Sequence, residues 1–136
     1  MIVMNQYLRP AMLLLCAAAL LRPSMGASAQ VPDSLARRLE AAGPSNARVD
    51  VLNAISWELR HNEPERALQY ARQALELADS LHYEEGRGWA YRNTGVIEYV
   101  RGNYAAAITA NFNGLRIFEK QGNSDGISSS YNNIGV

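Results

Sequence analysis

Three asparagines recur at one spacing and are the side chains best suited to hold a ligand: Asn53, Asn93 and Asn133. A side-chain amide both donates and accepts hydrogen bonds, so a row of amides can hold a peptide backbone without reading its side chains. Alternatively, the same amides can bond the neighbouring part of the fold and tie its units together. The spacing by itself leaves both interpretations open.

Two arginines and an apolar helix face accompany these amides. The guanidinium groups of Arg60 and Arg92 can each receive a carboxylate in bidentate geometry. In the second repeat, one helix face is formed by residues spaced three, four and seven positions apart. These residues are Arg92, Asn93, Val96, Tyr99 and Val100. Trp57 and Trp89 are predicted to be core residues, because their spacing is helical and tryptophan is usually buried. The predicted partner-binding surface consists of Asn53, Arg60, Arg92, Asn93, Val96, Tyr99 and Asn133.

No catalytic set can be assembled from this sequence. His61 and His82 are the only histidines, and neither has the spacing of a two-histidine metal motif. The sequence also contains neither the nucleophile elbow of the hydrolases nor a phosphate-binding glycine loop. Glutamates such as Glu84 and Glu85 suit the positive ends of helix dipoles, which explains them without catalysis. We therefore expect no enzyme activity, no cofactor and no metal site.

The N-terminal segment, residues 1–29, has the order of a secretory signal peptide. Arg9 precedes an apolar run over residues 11–21, and small residues follow at 27–29. This order predicts cleavage between Ala29 and Gln30 and a protein exported from a bacterium, either periplasmic or secreted. The alternative is an uncleaved anchor, although the run is shorter than the roughly 17–25 residues that span a bilayer.

Charge and cysteine content exclude several kinds of partner. Cys16, the only cysteine, lies in the leader, and Leu15 before it does not fit a bacterial lipoprotein signal. The mature chain therefore has no thiol and no disulfide. The leader holds two of the 13 basic residues and none of the 13 acidic ones, so the mature chain is slightly acidic. Without a concentrated basic face or a further long apolar run, we expect neither nucleic-acid binding nor a membrane span.

The elements that position these residues repeat along the chain. Residues 86–126 match both neighbouring stretches without a gap when the sequence is shifted by 40 residues, which indicates a repeated supersecondary unit. The repeats are predicted over residues 45–84 and 85–124, with a partial one over 125–136. The matched positions are Asn53, Asn93 and Asn133; Ala67 and Ala107; Leu75 and Leu115; Gly86 and Gly126; Tyr91 and Tyr131; and Gly95 and Gly135.

Hydrophobic spacing predicts two helices in each repeat. In the first repeat, a helix capped by Ser45 reaches about residue 61, and Pro64 suits the first turn of a second helix that reaches about 82. In the second repeat, helices over about 84–101 and 104–121 are separated by Gly102 and Asn103, a left-handed stop and an N-cap. Ser124 is predicted to cap a third first helix that has no partner.

The two ends of such an array need covering, because each repeat buries its core against its neighbours. Residues 30–44 are predicted to form a capping helix or linker that begins at Asp33 or Ser34 and stops at Gly43. Residues 124–136 repeat the middle of a helix and carry no polar cap. This predicts that the chain is part of a longer protein, with the alternative that residues 124–136 form a degenerate cap.

These repeats resemble the tetratricopeptide repeat, a helix–turn–helix unit of about 34 residues. That family keeps small residues where the two helices cross and an aromatic residue after the turn. The residues at these positions in the second repeat are Gly95, Ala107, Gly114 and Tyr104. The first repeat departs from the pattern at two of these positions, with Ile55 and Pro64. The longer period is similar to that of a long-helix subclass found in bacterial signalling proteins.

The resemblance implies an all-α, right-handed α-solenoid of antiparallel helix pairs, with two full repeats and an unpaired third first helix. In this family the first helices line a concave groove that holds an extended peptide or a partner helix. Residues 122–135 are also similar to a joint in exported sensor regions of two-component kinases. We therefore expect an exported protein- or peptide-binding module. The sequence does not determine how many copies of it associate. The alternative is the periplasmic sensory region of a histidine kinase or transcriptional regulator whose membrane and output domains are missing here.

Overall fold

The structure, a computed structural model, describes residues 30–135, and this part of the chain contains six α-helices and no strand. The all-α class predicted from the sequence is confirmed. The predicted leader and its cleavage site lie outside the described residues. The helices are α1 (Asp33–Ala41), α2 (Asn46–Leu59), α3 (Pro64–Ser80), α4 (Glu84–Val100), α5 (Tyr104–Gln121) and α6 (Ser124–Ile134).

Local sequence signals set most of the helix ends. The Ser45 hydroxyl caps α2 by accepting a hydrogen bond from the Arg48 backbone N–H at 3.4 Å. Pro64 is the first residue of α3, where its missing N–H leaves no hydrogen bond unmade. Gly102 and Gly122 adopt left-handed backbone angles, with φ of 80° and 65°, as expected for glycines that end helices.

Two of the predicted caps were wrong, and a third lies at the predicted residue but makes no side-chain hydrogen bond to its helix. Pro32 occupies the N-cap position of α1, so Asp33 and Ser34 lie inside the helix. Asn103 occupies the N-cap position of α5, yet its amide donates to the Glu98 carboxylate at 2.6 Å instead of capping the helix. A buried carboxylate is the stronger acceptor for that amide, because a charged partner shortens and strengthens a hydrogen bond.

The second wrong cap is at the start of α6. Ser124 begins the helix, and the Asn123 side chain before it accepts from the Gly126 backbone N–H at 2.9 Å. The asparagine therefore satisfies one of the first N–H groups of the helix, which have no partner within the helix itself.

Each helix packs against the next one along the chain. In addition α2 contacts α4, and α4 contacts α6, whereas α3 and α5 are not in contact within residues 30–135. The first helices of successive repeats therefore lie side by side. At the N-terminal end, the Arg48 guanidinium donates to the backbone oxygens of Leu39 and Ala42 at 2.7 and 2.8 Å, which joins α1 to α2.

The core is centred on the first repeat and its joint with α4. One buried cluster joins α2 and α3, and Ile97 of α4 is part of it. Its members are Val51, Ile55, Leu59, Ala67, Leu68, Ala71 and Ile97. A second cluster, made of Val49, Leu52, Ala74, Ala78 and Ala90, covers the other half of the same helices.

A different arrangement holds the second repeat against α6. Phe118 of α5 is fully buried and lies between glycines on two helices. A Cβ atom would lie 2.7 Å from the Phe118 ring if built on Gly88, and 2.3 Å if built on Gly126. Both glycines are therefore required for α4 and α6 to approach this ring.

Candidate ligand-binding surface

The first two asparagines join α2 to α4. The Asn53 side chain is buried, and its amide donates to the backbone oxygen of Gly86 at 2.9 Å. The Asn93 side chain is also buried, and its amide donates to the backbone oxygen of Asn53 at 3.0 Å. Both amides thus donate hydrogen bonds between neighbouring repeats.

The third asparagine has a different partner. The Asn133 amide donates to the side-chain oxygen of Asn111 on α5 at 3.4 Å. Asn111 is itself buried, and its own amide donates to the backbone oxygen of Ala107 at 3.0 Å. The three recurring asparagines therefore do not form a regular ladder.

Sequence reasoning missed Asn111 as part of this surface. The sequence signal that could have identified it is a paired change in residue size between the repeats: one position becomes smaller and another becomes larger. Ile55 and Ala71 of the first repeat correspond to Gly95 and Asn111 of the second. A Cβ atom on Gly95 would lie 2.5 Å from the Asn111 amide carbon and nitrogen, so the glycine makes room for this buried amide.

The two predicted arginines meet at one indole ring. The guanidinium carbons of Arg60 and Arg92 lie 3.7 and 3.9 Å from the centroid of the Trp57 ring. The guanidinium carbon of Arg92 also lies 5.7 Å from the centroid of the Trp89 ring. All four side chains are half-buried. Trp57 and Trp89, predicted as core, are therefore partly exposed aromatic rings against which the cations pack, a favourable arrangement for charge over an aromatic face.

In the described part of the chain no carboxylate lies within ion-pairing distance of these two arginines, although Asp50 lines the same cavity as Arg92. Within residues 30–135, neither Arg60 nor Arg92 forms an ion pair, whereas Arg66, Arg87 and Arg101 each pair with a carboxylate. Burial lowers the pKa of Arg92, and the nearby positive charge of Arg60 lowers this pKa further. Two like charges close to one ring favour the binding of an anion there.

Arg92 is held in position by a second contact. Its Nε–H donates to the Ser129 hydroxyl on α6 at 2.8 Å. The Arg60 guanidinium in turn donates to the backbone oxygen of Trp57. Each guanidinium therefore donates one hydrogen bond within the protein. A guanidinium carries five N–H donors, so further donors on each group can bind a ligand.

The predicted site residues divide between two cavities. The first, of about 300 Å³, is lined by Asp50, Asn53, Ala54, Trp57, Trp89, Arg92 and Asn93. We call it the indole cavity; Arg60 lies beside it over the ring of Trp57. The second, of about 390 Å³, is lined by Gly95, Val96, Tyr99, Asn111 and residues 132–135. We call it the end cavity, because it lies between the second repeat and the last helix.

No protein family, curated protein or solved structure matches this chain. Among residues 30–135, no helix is long and apolar enough to cross a membrane. The same residues contain no group of three histidine, cysteine, aspartate or glutamate side chains that could hold a metal ion.

Proposed function

We propose that this chain is an exported protein-interaction module of the tetratricopeptide-repeat type. In this proposal the helix pairs form a right-handed solenoid whose inner, concave side is made by α2, α4 and α6. The 40-residue self-match supports the repeat, and the contacts of α2 with α4 and of α4 with α6 support the curvature. In a curved stack the layer whose helices touch is the inner one, while the outer layer, here α3 and α5, is spread apart.

The ligand that fits the indole cavity is a peptide segment carrying a carboxylate, either an acidic side chain or a chain terminus. The single observation that carries this proposal is the pair of guanidinium groups over Trp57, which have no acidic partner within residues 30–135. Contact with the Trp57 ring restricts the rotation of the two guanidinium groups. A ligand therefore has less side-chain entropy to overcome when it binds them. Arginine also suits this task better than lysine, because its planar fork matches a carboxylate.

The size of the cavity favours part of a peptide over a complete small molecule. Its volume of about 300 Å³ is at the lower end of the roughly 300–1,000 Å³ of small-molecule sites. The amide donors of Asn53 and Asn93 already bond the backbone of the repeats. We therefore assign charge recognition to Arg60 and Arg92, and we assign the two asparagines to holding α2 and α4 at the separation that opens the cavity.

Binding of short fluorescent peptides to the purified protein tests this proposal. Peptides with one glutamate are compared with the same peptides carrying glutamine, by fluorescence anisotropy at two salt concentrations. We expect the glutamate series to bind more tightly, and we expect Arg60→Gln to weaken that binding about 10- to 100-fold. The affinity should also fall as salt rises, because part of the site is exposed to solvent.

Arg116→Gln is the matched control, because Arg116 is exposed on α5 and lies outside the indole cavity. Its removal should leave the affinity unchanged. Arg92→Gln is examined together with a thermal melt, since Arg92 also bonds Ser129. Equal affinity for the glutamate and glutamine series, or equal effects of Arg60→Gln and Arg116→Gln, would overturn the proposal.

Export is a separate part of the proposal and has its own test. The leader motif of residues 1–29 supports it, with cleavage expected after Ala29. Mass spectrometry of the protein recovered from the periplasm of a bacterial host should give a chain that starts at Gln30. Recovery of the intact chain from the cytoplasm would contradict export while leaving the binding proposal standing.

A further inference from the structure

The indole cavity carries an acidic side chain as well as its arginines. Asp50 is one of the residues that line it, together with Arg92 and the two tryptophans. The Asp50 side chain is exposed to solvent, and its carboxylate therefore lies at the rim of the cavity. The cavity thus offers a negative site in addition to the positive one.

Helix geometry separates these charges along α2. Asp50, Ala54 and Trp57 differ by four and three positions, so they lie on one face of the helix. A rise of about 1.5 Å per residue puts Asp50 and Trp57 about 10 Å apart along the helix axis. The guanidinium groups of Arg60 and Arg92 lie over the ring of Trp57. The negative site is therefore at one end of the cavity, and the two guanidinium groups are at the other.

The opposite charges do not neutralise each other. Within residues 30–135, Asp50 forms no ion pair. The pKa of Arg92 is lowered by burial and by the charge of Arg60, and Asp50 is not among the groups that shift it. A direct ion pair with Asp50 would instead raise the pKa of Arg92. The cavity of about 300 Å³ therefore leaves room for a ligand between its two charged ends.

Asp50 is held in place by the residue that precedes α4. The Tyr83 hydroxyl donates to Oδ1 of Asp50 at 3.0 Å. This contact occupies one carboxylate oxygen, so a ligand would meet the second oxygen and the phenol oxygen, which can both accept hydrogen bonds. An ammonium is a compact charge that binds such acceptors singly, whereas a guanidinium gains most from two free carboxylate oxygens. The contact with Tyr83 therefore favours an ammonium.

The indole rings supply an apolar wall for the stem of such a group. Trp57 and Trp89 are half-buried, and the ring of Trp89 packs against the buried Phe118 at a centroid distance of 4.9 Å. The methylene groups of a lysine side chain pack along apolar surface while the charged end stays in water. The exposed carboxylate of Asp50 suits a charged end in that position.

We propose that Asp50, positioned by Tyr83, is a second subsite of the indole cavity, and that it binds a primary ammonium group of the peptide whose carboxylate binds Arg60 and Arg92. The second subsite rests on the carboxylate binding proposed above. An extended peptide advances about 3.3 Å per residue, so a separation of about 10 Å corresponds to about three residues. The ammonium is that of a lysine side chain or of the peptide N-terminus, about three residues from the acidic residue.

Binding of labelled peptides, measured by fluorescence anisotropy, tests this proposal. Peptides blocked at both ends carry one glutamate and one lysine, placed one, three or six positions apart in either order. The reference series carries glutamine in place of lysine. We expect lysine to tighten binding about two- to fivefold at the separation of three, as for a solvent-exposed ion pair, and hardly at the other separations. A peptide without lysine but with a free N-terminal amine at the same separation distinguishes the two sources of the ammonium.

Asp50→Asn tests the assignment of the subsite to Asp50. The amide keeps an oxygen that can accept from the Tyr83 hydroxyl, so the change removes the charge and little else. The gain from lysine should disappear, whereas the affinity for the glutamine reference series should stay within about twofold, which checks that the cavity is intact. Glu58→Gln is the matched control, because Glu58 is exposed on the same helix and lies outside the lining of the cavity. This variant should keep the gain.

Three results would overturn the proposal. Lysine that leaves the affinity unchanged at every separation, in peptides that still need their glutamate, would refute the ammonium subsite and leave carboxylate binding standing. A gain from lysine that is the same at every separation, or that Asp50→Asn and Glu58→Gln reduce equally, would assign it to general attraction by negative charge. Equal affinity for peptides with and without glutamate would refute carboxylate binding and the second subsite together.

Discussion

The two helix pairs, α2 with α3 and α4 with α5, cross at equivalent positions but place different side chains at the crossing. In the first repeat, Ile55 of α2 and Ala71 of α3 belong to one apolar cluster that Ile97 closes. In the second, Gly95 of α4 faces the buried amide of Asn111 on α5. The first crossing is apolar and closed, and the second is polar and opens into the end cavity.

Equivalent positions in the two repeats therefore share a helical backbone but not the surroundings of their side chains. Leu59 and Tyr99 occupy the same turn of equivalent helices, yet one is buried and the other is exposed. Leu59 belongs to a buried cluster that Ile97 of α4 joins, so its environment depends on the following helix pair. Four predictions test this comparison.

The largest expected difference is between the two counterparts Leu59 and Tyr99. Leu59→Ala should cost about 2–5 kcal/mol of the free energy of unfolding, because it leaves a void in a closed cluster. Tyr99→Ala should cost less than about 1 kcal/mol, since an exposed side chain loses little beyond its edge contact with Tyr104. Urea denaturation of both variants measures the difference. Similar costs would mean that Tyr99 is already covered in solution.

The second prediction exchanges the chemistry of the two crossings. Gly95→Ile should cost about 1–3 kcal/mol, because its side chain would displace the Asn111 amide from its buried position. Combined with Asn111→Ala, the same change recreates the pair found at Ile55 and Ala71 and should recover most of the loss. A double-mutant cycle should give a coupling free energy of at least about 1 kcal/mol. Additive effects of the two substitutions would show that the two residues do not share one space.

The third prediction compares asparagines at equivalent positions. Asn93→Ala should cost about 1 kcal/mol, because it removes a buried hydrogen bond of 3.0 Å to the Asn53 backbone. Asn133→Ala should cost less than about 0.5 kcal/mol, because its hydrogen bond to Asn111 is long, at 3.4 Å. Thermal denaturation ranks the two. A larger cost at Asn133 would indicate a tighter contact with α5 than the structure describes.

The fourth prediction concerns the two joints before α4 and α6, where Tyr83 corresponds to Asn123. Burial raises the pKa of Tyr83 to about 12, and the hydrogen bond that its hydroxyl donates to Asp50 at 3.0 Å adds to this shift. In the unfolded chain the pKa of tyrosine is about 10. The folded state therefore retains a proton that the unfolded state has lost at intermediate pH.

The stabilisation by the neutral phenol is fully present below about pH 10 and is lost as the pH rises from about 10 to 12. The free energy of unfolding of the original protein should consequently fall more steeply over this range than that of Tyr83→Phe. Measuring both by urea denaturation at several alkaline pH values isolates Tyr83 from the other tyrosines. Parallel declines would show that the Tyr83 hydroxyl titrates normally.

Much of the fold was predictable because its signals are local. Helix starts at Ser45 and Pro64 and stops at Gly102 and Gly122 depend on backbone preferences of single residues, and the structure confirms them. The cap of α6 was predicted at Ser124 but is Asn123, and Asn103 lies at its predicted N-cap position without bonding the helix. Which group an asparagine bonds depends on what the fold places beside it, and here a buried Glu98 captures the Asn103 amide.

The candidate surface was predictable in its residue types but not in its arrangement. The sequence indicated Arg60 and Arg92 as carboxylate-binding groups, and the structure brings both to the ring of Trp57. It did not indicate that Trp57 forms the platform, because helical spacing alone does not show how much of a side chain the next helix leaves exposed.

The sequence by itself determined the period, the helix pairs and the all-α class. Repetition and helix ends can be recognised from residue types and their spacing along the chain, without knowledge of tertiary contacts. The tertiary structure alone decided the partners: Gly86 for Asn53, the Asn53 backbone for Asn93, and Asn111 for Asn133. It also decided that Ile97 is enclosed while Tyr99 is exposed. A side chain's partner depends on the separation and rotation of neighbouring helices, and these follow from the packing of all the helices together.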